Sequence, residues 1–74
     1  MSDEDFSYSR SWDDIHDMLD RAERKQNRHF TAMQSKSTTK AHRIKHMRNY
    51  KALEGVIKSL RWVLGDRNIE HPLE

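Results

Sequence analysis

The stretch Gln34-Ser35-Lys36-Ser37-Thr38-Thr39-Lys40 decides the fold, because it is the one clear break in a chain of 74 residues that otherwise reads as helix. It contains neither glycine nor proline. Serine and threonine hydroxyls compete for backbone hydrogen bonds, so they suit helix ends better than helix interiors. The stretch therefore predicts that one helix stops near Gln34 and that Ser37, Thr38 or Thr39 caps a second. The alternative is one long continuous helix.

Upstream of the break, Ser11 followed three residues later by Asp14 is a helix-start pattern, and Asp13, Asp14 and Asp17 suit the positive end of a helix dipole. Trp12, Ile15, Leu19, Ala22, Gln26, His29 and Met33 then recur at alternating spacings of three and four. That is one face of a helix, apolar at first and thinning after Ala22. Downstream, Tyr50, Leu53, Ile57, Leu60 and Leu64 keep the same rhythm, and Gly65 directly after them is a helix stop.

The expected organisation is a disordered acidic lead-in over 1–10, helices over about 11–34 and 40–64, and an irregular tail over 66–74. No strand pattern or internal repeat is present. Two helices of similar length joined by a short turn make an antiparallel hairpin. The register places Trp12 near Leu64, Ile15 near Leu60, Leu19 near Ile57, Ala22 near Leu53, Gln26 near Tyr50 and His29 near His46. The fold class is all-α, with a core of Trp12, Ile15, Leu19, Leu53, Ile57, Leu60 and Leu64 that serves the hairpin or a dimer of hairpins.

Composition explains why a dimer or a docked partner enters the expectation. Only 34% of the residues are hydrophobic and there are no cysteines. A core in a chain of this size rarely supplies more than about 3–5 kcal/mol without a staple. Self-association or docking on a protein partner is the expected supplement. The longest strongly apolar run, Trp62-Val63-Leu64, is far below the roughly 20 residues of a membrane span. The acidic N-terminus lacks the apolar stretch of a secretory signal, so a reducing, intracellular setting is expected.

The formal net charge of +2 hides a strong asymmetry. Residues 1–20 carry seven acids and one base, whereas residues 21–51 carry ten bases and one acid. A hairpin gathers the bases toward its turn and the acids toward its open end. The basic stretch Lys40, Arg43, Lys45, Arg48 and Lys51 is a candidate surface for phosphates or for an acidic protein. The bland alternative is a solvated face paired with its own acids, such as Glu23 with Arg28 and Lys51 with Glu54. Ile44 and Trp62 fall opposite the Leu60 face at about 100° per residue. They form a candidate partner contact, unless Trp62 covers Ile69 or Leu73 of the tail.

Chemistry-bearing constellations are weak. His42 and His46 have the i, i+4 spacing of a metal pair, but Arg43 and Lys45 lie between them and no acid completes the set, so a solvated basic face is the reading. Asp13, Asp17 and Asp20 read as a dipole complement rather than a cation site. No serine has a nucleophile-elbow context, and the only glycines, Gly55 and Gly65, make no phosphate loop. The expectation is a protein without enzymatic activity, cofactor, metal or small-molecule substrate.

The run His46-Met47-Arg48-Asn49-Tyr50-Lys51-Ala52-Leu53-Glu54-Gly55-Val56-Ile57-Lys58-Ser59-Leu60-Arg61-Trp62-Val63-Leu64-Gly65-Asp66 resembles small accessory proteins of tailed bacteriophages. The resemblance implies a minor virion component, or an early protein that binds and redirects a host machine. It would place the chain in the host cytoplasm or in the virion. It transfers no functional residue.

Overall fold

The computed structural model describes residues 9–73. Residues 1–8, most of the expected acidic lead-in, lie outside the described residues. Two helices, α1 (Trp12–Gln34) and α2 (Lys40–Val63), pack side by side as a hairpin, and the described residues include no strand.

Local chemistry sets each helix end. At the start of α1 the Asp14 amide donates to Ser11 Oγ at 3.0 Å and the Ser11 amide donates to Asp14 Oδ2 at 3.3 Å. This reciprocal capping box satisfies amide donors that have no partner inside the helix. Thr39 caps α2, its hydroxyl accepting from the His42 amide at 3.2 Å. At the far end of α2, Gly65 adopts φ 85°. Its amide donates to the Trp62 carbonyl and the Asp66 amide to the Arg61 carbonyl, both at 3.0 Å. That pair of bonds is a Schellman ending, and the positive φ explains the glycine.

The turn closes without glycine or proline. The Thr38 amide donates to the Ser35 carbonyl at 3.2 Å, closing a four-residue turn. The carbonyls at the end of α1 find donors there: Ala32 accepts from Thr38 Oγ1 at 2.7 Å and Met33 accepts from Arg43 Nε at 3.1 Å. Side chains at the break thus replace the hydrogen bonds that a continuous helix would have made.

Two cross-helix contacts carry the expected register into the turn half. Gln26 Nε2 donates to the Tyr50 carbonyl at 3.5 Å, and the Nδ1 atoms of His29 and His46 lie 2.8 Å apart. Ala22 and Ile57 are the buried hydrophobic residues among those described. Ile15, Leu19, Leu53, Leu60 and Leu64 of the expected core are half-buried between the helices.

Trp12 departs from this, being 65% exposed. It is the first residue of α1, and at roughly 100° per residue it lies about 80° round the helix from Ala22, on the flank of Phe30. Side chains on a helix lean toward its N-terminus, and no further turn of α1 precedes this one to cover it. Trp12 adds little to the hairpin's own core.

The hairpin leaves much of itself in water. Among the described residues Met18, Phe30, Met47, Val56 and Val63 are exposed. Two helices can cover only one stripe of each other, so the remaining flanks stay open.

Candidate interaction surface

The hairpin has two unlike broad faces. On one, long side chains reach across and satisfy each other. Glu23 of α1 pairs with Arg61 of α2 at 2.8 Å, and the rings of Phe30 and Tyr50 tilt together with centroids 6.0 Å apart. Glu23 therefore does not pair with Arg28, as sequence spacing suggested; the second helix offers a nearer cation. The expected Lys51–Glu54 pair forms at 3.5 Å.

The other face carries an open groove between the helices. One stretch of it encloses about 530 Å³, floored by Met18, Ala22, Leu53 and Val56 and rimmed by Arg21, Lys25 and Arg28. A second stretch of about 470 Å³ continues toward the open end past Ile15, Leu60, Asp14 and Asp17. Met18 and Arg21 line both, so the two are one continuous trough. Met18 is 50% exposed, and Val56 and Val63 are exposed as well. Seven residues apart, those two valines lie on one flank of α2.

The cations of the groove arise from a second periodicity in α1. Asp14, Met18, Arg21, Lys25, Arg28 and Ala32 also alternate spacings of four and three. They form a stripe beside the apolar one, acidic at its start and basic after Met18. Sequence reading placed Arg24, Lys25 and Arg28 in the basic half but did not single out this stripe, although the spacing carries it. Its use became visible only when α2 laid Val56 alongside it.

The five basic residues expected to act together are all exposed but do not share a face. On the helical wheel Lys45 falls on the Val56 flank and Arg48 nearer Ile44 and Trp62 on the back of the helix, whereas Lys40, Arg43 and Lys51 lie on other sides of α2. Arg43 is already held by the Met33 carbonyl, and Lys51 is beside Glu54. Of the five, Lys45 alone thus falls on the groove flank of α2.

Ile44 and Trp62 share the back of α2, with exposures of 37% and 47%. They are 18 residues apart, about 27 Å along the helix, so they form two separate points and no single patch. The tail returns to Trp62 through His71, whose ring meets the indole edge-on at 5.3 Å. Sequence reading had offered Ile69 or Leu73 for that role. Ile69 is half-buried, and Leu73 is exposed.

In the turn half, His46 faces His29 across the hairpin rather than forming a pair with His42. One Nδ1 donates and the other accepts, so the contact needs at least one neutral ring. The pKa of His29 is lowered from its ordinary 6.5 by burial, then by His46 and by Lys25. Among the described residues no group of three or more His, Cys, Asp or Glu is arranged to hold a metal ion, and no helix is long and apolar enough to cross a membrane.

No family model, curated protein or solved structure matches this chain.

Proposed function

We propose that this chain is a non-enzymatic interaction protein, of the type found among tailed-phage accessory products, that binds a host or virion protein. The observation that carries the reading is the unfinished core: an apolar trough floored by Met18, Ala22, Leu53 and Val56 lies open beside cations on the same face. Open apolar surface on a small charged chain is the mark of a docking element. The fringe of arginine and lysine favours encounter with acidic surfaces. The phage attribution rests on the resemblance of residues 46–66, and with it a site of action in the host cytoplasm or the virion. Affinity capture from a bacterial lysate tests the reading with three baits: wild type, Val56→Asp, and Trp62→Ala with Ile44→Ala. A protein retained by wild type and lost with either variant, at unchanged helicity, supports it. Identical capture by all three overturns it.

A second reading is favoured by the clustering of Arg21, Lys25 and Arg28 along the groove, with Lys45 on the facing flank of α2: a nucleic-acid-binding accessory protein whose basic segment 36–51 contacts phosphates. Counterion release gives a slope near −0.9 per neutralised phosphate on duplex DNA. Fluorescence anisotropy on duplex and single-stranded DNA across a salt series separates the readings. Micromolar binding with a steep negative slope selects nucleic acid, and a flat signal at low salt selects a protein partner.

A further inference from the structure

We propose that the groove face seats a second copy of this chain, packed antiparallel through α1 so that each trough is closed by the other hairpin. This rests on the interaction reading above and names the occupant.

The argument is one of charge self-complementarity. Along the groove flank of α1 the order is Asp14, Asp17, then Arg21, Lys25, Arg28. Reversing one copy about a two-fold axis near Arg21 lays Asp17 of each chain on Lys25 of the other, and Asp14 on Arg28. A two-fold interface demands this kind of self-matching pattern, because the same surface must serve both sides. The cations at issue are available. Asp20 holds Arg24 at 2.9 Å and Asp17 sits 4.0 Å from Arg21, whereas among the described residues Lys25 and Arg28 have no ion-pair partner within the chain.

The apolar component matches. Met18 lies close to the axis, so the exposed thioether of each copy meets the trough of the other, where Ala22, Leu53 and Val56 form the floor. Methionine fills irregular apolar gaps well. Lys45, on the Val56 flank near the turn of one copy, comes over the acidic start of α1 in the other. Arg21 meets its counterpart at the axis, where each has its own Asp17 alongside, and Arg24, which also lines the trough, is held by Asp20. The result is a four-helix arrangement, which buries the flanks that one hairpin leaves open.

Sedimentation velocity across a concentration series tests the proposal with a charge swap. Wild type should dimerise, and the dimer should weaken at high salt. Lys25→Glu and Asp17→Lys should each raise the dissociation constant about tenfold or more, because each homodimer then sets like charges together twice. An equimolar mixture of the two variants should recover a heterodimer near wild-type affinity, since opposite charges meet at both contacts. Circular dichroism on each variant should show unchanged helicity; if one fails to fold, Lys25→Asp with Asp17→Arg repeats the swap with other side chains. A wild type that stays monomeric at all concentrations overturns the proposal, whether an acidic segment of the same chain or another protein fills the trough. So does a mixture that fails to associate. Either result leaves the lysate capture to decide the interaction reading separately.

Discussion

The two faces of the hairpin are built from the same two helices and reach opposite ends. On one, Glu23 meets Arg61 and Phe30 meets Tyr50, so charge and ring surface are matched within the chain. On the other, Lys25 and Arg28 stand beside an apolar trough with no such match among the described residues. The contrast separates a face whose side chains satisfy each other from one whose apolar floor and cations stay open, and on the proposed reading association belongs to the second. Substitutions beneath, on and between the two faces should therefore separate folding from association.

The largest effect belongs to Ile57, which lies beneath both faces. Ile57→Ala should cost about 2–5 kcal/mol, comparable with the whole of a core this size, about 3–5 kcal/mol. Far-UV circular dichroism should show loss of most helicity at room temperature. A variant that kept its helices would mean that stability comes from elsewhere, with partner copies the first candidate.

Next comes the turn. Thr39→Ala removes the acceptor for the His42 amide and should cost about 1 kcal/mol, read as a lower midpoint in urea with both faces otherwise intact.

The polar pair in the turn half should make stability depend on pH. The folded chain keeps His29 neutral to lower pH than the unfolded chain does, so the unfolded state takes up the proton first. Stability is fully present above pH 6.5 and is lost as pH falls below it. Urea midpoints between about pH 8 and about pH 5 should fall on acidification, and much less so in His29→Gln.

The smallest effects test the faces themselves. Glu23→Gln breaks a pair whose side chains are each about two-fifths exposed, so it should cost less than about 1 kcal/mol and leave association untouched. Val56→Ser should change the unfolding midpoint as little but weaken association measurably by sedimentation. If the two variants behaved alike in both assays, the distinction between faces would be lost.

Much of this architecture was legible because its causes are local. Ser11 and Asp14 bond across three residues, Gly65 answers to its own φ, and the alternation of three and four in both helices sets the stripe that meets the partner helix. Matching those stripes across a short turn carried the register as far as Gln26 with Tyr50 and His29 with His46. Which hydroxyls would act at the break was narrower than sequence allowed: Thr39 caps, while Thr38 and Arg43 take the last carbonyls of α1.

The sequence by itself determined the helical stripes, the Ser11 start and the Gly65 stop, and, given a break at 35–39 rather than one continuous helix, the antiparallel pairing and the polar character of the core near the turn. Those follow from hydrogen bonds and periodicities that span a few residues, and from a turn too short to permit another arrangement. Tertiary structure decided what lies to either side of the shared stripe. It matched Glu23 with Arg61 rather than Arg28, laid Val56 beside Met18 and Arg21, left Trp12 exposed and brought His71 to Trp62. Spacing along one helix orders its own flanks but says nothing about which flank of the other helix, or which part of the tail, comes to lie against them.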